Sequence, residues 1–261
     1  MAIPIINLAP RTNLTKTVHR RKLQHGQAPA LAQYYQALFS TLGPQHWWPA
    51  KSAFEVIVAA FLTQNTSWRN VTLALENLRA ARLLTPATLE RIPETKLARL
   101  IRSSGYYRQK ARKLKLFVRY LRTNHGGSLK KMFRTPLPRL RAELLELHGI
   151  GPETADAILL YAGGLPSFVV DAYTRRILER HGLAEPRATY HHIQDLFHSN
   201  LPPDPGLYNE YHALIVRASK DWCHKRNPIC SECPLAPFLP ASSLPLRADS
   251  THRAVPLEAT P

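Results

Sequence analysis

The sequence predicts an all-α fold. Apolar residues recur at three- and four-residue steps, no comparable period-two run of β-branched residues appears, and the periodic segments begin with conventional helix-start residues. The first clear stripe is Phe54, Ile57, Val58, Phe61 and Leu62. Thr85 before Pro86 reads as a cap followed by a first helical residue. A second stripe, Tyr107, Ala111, Leu114, Val118 and Leu121, runs along a helix expected from Tyr107 to Arg122. Pro152 after Gly151 marks another start. Short connections between short helices predict a compact bundle. The first 28 residues and the Pro-rich end after Leu239 lack periodicity, so the folded unit is expected over residues 29–239 with flexible tails at 1–28 and 240–261.

At 261 residues and 44% hydrophobic content, the chain can bury one large core or two modest ones side by side. Its 35 Lys and Arg against 18 Asp and Glu give a net charge of +17, which favours a polyanionic partner through phosphate neutralisation and counterion release. No run of about 18 uncharged apolar residues appears, and the start lacks a secretory signal's apolar core, so neither a membrane span nor export is expected. No acidic residue precedes Glu55, while Arg11, Lys16, Arg20, Arg21 and Lys22 crowd the first segment, reading either as a DNA-contacting arm or as an organellar transit sequence. The helix from Tyr107 carries Arg108, Lys110, Arg112, Lys113, Lys115, Arg119 and Arg122 opposite its apolar stripe. Such one-signed charge reads as a solvated face or as a phosphate-contacting one. Cys223, Cys230 and Cys233 lie close together, which argues for a local ligand cluster in a reducing compartment rather than a disulfide framework.

The segment Leu144 to Leu159 reads as helix, tight glycine hairpin, helix. Gly149, Ile150 and Gly151 form its turn. Two glycines around one apolar residue let backbone N–H groups approach a phosphate at the positive start of the following helix, which also carries Thr154; a compact packing corner would look the same. Beyond Gly163-Gly164-Leu165-Pro166 come Phe168-Val169-Val170-Asp171 and a helix through Leu178.

With these motifs in this order, the chain resembles the endonuclease III superfamily of helix-hairpin-helix DNA glycosylases from about Tyr34 to Leu239. The resemblance implies a two-lobed all-α fold with a DNA-binding cleft between a lobe of residues 46–166 and one of residues 29–45 plus 167–239. It implies a monomer acting on double-stranded DNA, with no membrane partner, in the cytoplasm beside the nucleoid if the cell is prokaryotic. Asp171 matches the superfamily's essential aspartate, a role compatible with a plain helix N-cap. An anion fixed beside the anomeric carbon stabilises oxocarbenium character and can orient water. Members that also cut the strand carry a lysine two residues after the second hairpin glycine. Glu153 stands there, so the resemblance implies base release by water without a Schiff base; as a plain structural residue, Glu153 would favour the helix dipole.

Leu62-Thr63-Gln64-Asn65-Thr66 resembles the segment whose glutamine fills the gap left by a flipped nucleotide, and Gln64 is the matching residue. With Trp-Trp-Pro at residues 47–49, the pattern looks most like the 3-methyladenine DNA glycosylase III branch. A cationic N-alkylated purine would be held by stacking and cation–π attraction to Trp48 and Trp68, while Trp47 reads as packing. The adenine-specific branch carries a glutamate where Ala59 stands, which weighs against that substrate. Cys223, Cys230 and Cys233 match three of the superfamily's four [4Fe-4S] ligands, with Leu239 in the fourth place; a zinc site with His224 and a metal-free loop are the alternatives. Two rival functions remain: a bifunctional glycosylase/lyase on oxidised pyrimidines, and a non-catalytic DNA-binding homologue.

Overall fold

The computed structural model describes residues 31–47 and 50–240. Trp48, the basic segment 1–28 and residues 241–261 of the Pro-rich end lie outside the described residues. Among the described residues there are no strands and twelve α-helices: α1 (Leu31–Leu42), α2 (Ala53–Thr63), α3 (Trp68–Ala80), α4 (Pro86–Arg91), α5 (Glu94–Leu100), α6 (Tyr107–His125), α7 (Leu129–Met132), α8 (Leu137–Glu146), α9 (Pro152–Ala157), α10 (Ala172–Arg180), α11 (Tyr190–Asn200) and α12 (Pro205–Asp221). A π-helical turn, Ile158–Ala162, follows α9 directly. No helix among the described residues is long and apolar enough to cross a membrane.

The local signals act as their chemistry dictates. Thr85 Oγ1 accepts from the Thr88 amide and Pro86 opens α4, while Gly151 precedes Pro152 at the start of α9. Helix α6 runs to His125, three residues past the expected Arg122. It stops because Gly126 takes φ +61° and returns its N–H to Arg122 O.

Helix α2 departs from the expected stripe. Every residue from Phe54 to Leu62 is buried, because α3, α6, α9 and the π turn all pack around it. Its one charged residue, Glu55, is 2% exposed and reaches Arg79 Nη2 at 2.5 Å, so the carboxylate is paired where it is buried. Around this central helix the apolar side chains form one continuous core from Leu31 to Leu235. Helix α1 packs on α11 and α12, with Tyr211 Oη donating to Leu31 O at 2.8 Å.

A buried polar network holds the strand-like segment before α10. Asp156, fully buried, accepts from Arg141 Nε (2.8 Å) and Nη2 (3.0 Å), Ser167 Oγ (2.6 Å) and Gln194 Nε2 (2.9 Å). Gln194 Nε2 also donates to Phe168 O, the Phe168 amide donates to His198 Nε2, and the Val170 amide donates to Tyr190 Oη. Phe168 stacks on Phe197 at 3.6 Å between centroids. Side chains of α11 thus replace the ladder bonds that an extended segment lacks, Asp156 of α9 and Arg141 of α8 hold Gln194 and Ser167 in place, and together they fix where Asp171 emerges. Removing one partner of the buried Arg141–Asp156 pair costs about 3–5 kcal/mol.

Candidate active site

Asp171 is the N-cap of α10. Its Oδ1 accepts from the Thr174 amide (2.8 Å) and Thr174 Oγ1 (3.0 Å), which turns Oδ2 toward His212 Nε2 at 3.5 Å. His212 comes from the buried face of α12, and its Nδ1 lies 2.6 Å from the hydroxyl of Tyr161 on the π turn. Trp47 lies close enough to Tyr161 to act on its phenol. The segment bearing Trp47 is pinned to α12 by the Gln45 amide, which donates to Glu210 Oε1 at 2.6 Å.

The electrostatics divide the two nearby carboxyls. Burial alone would push Asp171 up, but the His212 imidazole and the two Thr174 bonds outweigh it and hold the carboxyl below the usual range. Glu153, at the start of α9, moves the other way. Burial first, then the Asp171 charge, push it up to about 7, with His212 pulling against them. Its residue is nonetheless exposed, so solvent screens part of this effect. Burial and the charges of Asp171 and Glu153 drive the Tyr161 phenol well above its ordinary range, so it stays protonated. The arrangement offers a fixed anion, a carboxyl that exchanges its proton near neutrality, and a phenol–imidazole pair behind them.

The hairpin lies beside this cluster. Gly149 takes φ +86°, a conformation that calls for glycine, and a Cβ there would also displace the Lys113 side chain. Gln64, just past the end of α2, donates through Nε2 to Thr154 Oγ1 (2.9 Å) and Gly149 O (3.2 Å), and its Oε1 accepts from Lys113 Nζ (2.7 Å). The sequence-assigned stack-filling glutamine is thus joined to the sequence-assigned hairpin.

Three of the expected DNA contacts need correction. Lys110 does not stand on the basic face. It is 2% exposed, and its ammonium donates to Leu62 O (2.9 Å) and Ser104 O (2.6 Å), satisfying a carbonyl near the end of α2. Ile150 is buried and gives its N–H to Leu147 O, leaving the amides of Gly149 and Gly151 as those the turn can offer to a phosphate. Thr154 is buried, with its hydroxyl engaged by Gln64. Trp68, 38% exposed, is the first residue of α3. Sequence reading missed Tyr161 and His212. A histidine among Tyr211 and Ala213–Val216 carries no motif and reads only as a core residue.

The cysteine loop is held to α10 by arginines. Arg180 Nη1 donates to Cys223 Sγ (3.0 Å), and Arg176 Nε donates to Cys223 O (2.7 Å). The described residues do not fit a [4Fe-4S] cluster. They bring together no group of three or more His, Cys, Asp or Glu able to hold a metal, the fourth ligand place is the hydrocarbon of Leu239, and a guanidinium occupies one side of Cys223. The same test goes against a zinc site completed by His224. The space among the three cysteines, Leu239, Arg180 and His181 amounts to about 10 Å³. Lys225 and Arg226 are exposed on this loop.

Comparison with known proteins gives these residues a context. Residues 58–203 match the model of the HhH-GPD superfamily base excision DNA repair protein. The Methanocaldococcus jannaschii protein MJ1434, provisionally named a DNA repair glycosylase, is 45% identical over 206 residues, covering 78% of this chain and 93% of that protein. Endonuclease III of Thermotoga maritima is 31% identical over 180 residues, covering 69% and 79% respectively. Among solved structures, Helicobacter pylori 3-methyladenine DNA glycosylase (MagIII) bound to 1,N6-ethenoadenine superposes with a TM-score of 0.65 at 30% identity, covering 72% of this chain and 96% of that one.

Proposed function

The chain is a DNA glycosylase of the HhH-GPD superfamily of base excision DNA repair proteins, and on that premise we propose that it hydrolyses the N-glycosidic bond of an alkylated purine and leaves the strand uncut. The observation that carries this reading is the pair of carboxyls at the hairpin and the α10 cap: Asp171 held ionised, and Glu153 in the place that a lyase fills with lysine. The Asp171 anion stabilises the oxocarbenium-like sugar. Glu153, titrating near neutrality, accepts the proton of the attacking water. An N-alkylated purine leaves as a neutral base and needs little help from an acid.

Trp48 and Trp68 hold the cationic base by stacking and cation–π attraction. MagIII, 30% identical, carries a modified adenine in its structure, which supports an altered purine as the ligand class. Gln64 enters the base stack after releasing Thr154 and Gly149, and Lys113 travels with it or replaces it at the hairpin. Tyr106, 67% exposed at φ +44°, supplies a second ring at the DNA surface. Its turn adjoins the Gln64 segment, because Lys110 bonds both Ser104 O and Leu62 O. Double-stranded DNA lies along this face, between lobes of residues 46–166 and 29–45 plus 167–239. The protein acts as a monomer, with the nucleoid in a prokaryotic cell.

The test is purified protein with duplex DNA carrying either an N-alkylated purine or an oxidised pyrimidine, scoring freed base separately from strand breakage. Alkylated base released without breakage until alkali is added supports the reading. Spontaneous breakage would favour the lyase alternative, and tight binding with no release from either lesion would favour a non-catalytic homologue.

A further inference from the structure

Beyond the aspartate and the hairpin, the core behind the site contains a histidine and a tyrosine that the glycosylase reading leaves without a task. We propose that His212 and Tyr161 are positioning residues for Asp171: the tyrosine hydroxyl fixes the imidazole so that Nε2 carries its proton toward Asp171 Oδ2. This rests on Asp171 being the working carboxylate of the proposed reaction.

The geometry gives the pair its direction. Tyr161 remains protonated, and its oxygen lies 2.6 Å from His212 Nδ1, so a phenol hydrogen donated to Nδ1 leaves the imidazole's own proton on Nε2. Nε2 is fully buried and makes no other hydrogen bond among the described residues, and Asp171 Oδ2 stands 3.5 Å away. That separation is long for a hydrogen bond in the free enzyme and tightens once substrate orders the site. The cluster is assembled from three separate elements. Tyr161 comes from the π turn, His212 from α12, and Asp171 from the start of α10, with Oδ1 already committed to Thr174. One aspartate oxygen is thus tied to its own helix and the other to the imidazole, which leaves the carboxylate little rotational freedom.

The titratable groups around His212 are Asp171, Tyr161 and Glu153. Asp171 is flanked by the same histidine, by Glu153 from α9, and by the Tyr161 phenol. Of these, His212 is the one that opposes burial. Without it, a buried carboxyl next to Glu153 would take up its proton at higher pH.

The experiment compares wild type, His212→Gln and Tyr161→Phe in single-turnover release of 3-methyladenine from methylated duplex DNA across pH. It also follows the Asp171 side-chain carbon by NMR titration in ¹³C-aspartate-labelled protein. In His212→Gln the Asp171 titration midpoint moves to higher pH by about one unit, and release at pH values below that midpoint, on the acid side of the Glu153 limb, falls about tenfold. Affinity for undamaged duplex stays as in wild type, because His212 is buried. Tyr161→Phe keeps the imidazole but frees its orientation, so its rate falls while the midpoint moves less. Superimposable rate profiles and an unmoved Asp171 midpoint in a folded His212→Gln protein would overturn the proposal, leaving His212 a core residue. If wild type releases no alkylated base, the functional reading fails on its own, and the carboxyl titration, which needs no substrate, still decides the role of His212.

Discussion

Glu153 and Asp171 face one site with their carboxyls driven in opposite directions, the first up to about 7 and the second below the usual range. Two carboxyls so separated can divide the work of anion and base. A base must be ionised, so base release should rise with pH through about 7 in the wild type. Glu153→Gln removes that limb, slows release by roughly 10²–10⁴-fold, and leaves DNA affinity unchanged. A neutral-pH limb that persists in the variant would remove Glu153 from the mechanism.

Glu153→Lys places an amine where the carboxyl now feels Asp171. The variant should form a covalent complex with damaged duplex that borohydride traps, and wild type should form none. A trapped complex with wild type would mean that another amine reaches the sugar.

Asp171→Asn keeps a capping side chain on α10, so folding stability should change by less than about 1 kcal/mol in thermal melting. Base release should fall by roughly 10²-fold or more, because the charge opposite the sugar is lost. Unchanged duplex affinity, measured by titration, separates this loss of chemistry from a loss of binding.

Lys110 makes the fold's pH dependence testable. Burial, with Lys113 adding to it, lowers its pKa from 10.5 to about 8. Between pH 8 and 10.5 the unfolded chain holds a proton that the folded chain has released, so stability from this group rises with pH across that window and is at its lowest below 8. Lys110→Met removes the linkage while leaving Leu62 O and Ser104 O without their donor. The stability of wild type relative to the variant should therefore grow from pH 8 to 10.5; a constant difference in denaturant melts would contradict the buried ammonium.

The cysteine loop should stand without metal. Chelator treatment should leave the melting temperature unchanged, and purified protein should carry no stoichiometric iron or zinc by elemental analysis. Stoichiometric iron would show that Arg180 yields its place beside Cys223 and that a ligand from outside the cysteines completes the site.

Much of the site could be read along the chain. The glycines at 149 and 151, the Pro152 start and the Asp171 cap announce themselves locally, because a positive φ, a missing N–H and a side chain that reaches three residues ahead are short-range requirements. Gln64 was also legible, although its tie to Thr154, 90 residues away, was not. The cysteine spacing was legible as well, but spacing does not say what surrounds the thiols, and Arg180 beside Cys223 lies 43 residues away in the chain. Lys110 misled for a related reason. Its neighbours along the chain are basic, but the helical period sets it beside Leu114, Phe117 and Leu121 on the buried face, where Leu62 O and Ser104 O receive its ammonium.

The sequence by itself determined the helices, their caps and stops, the hairpin and the aspartate that follows it. Each depends on contacts within a few residues, where backbone geometry leaves few choices. Only the tertiary structure decided that His212 and Tyr161, 51 residues apart, stand behind Asp171, and that Glu153 titrates near neutrality. Desolvation and the field of a neighbouring charge depend on which helices pack together, and no pattern along one segment records what the opposite wall of the site will be.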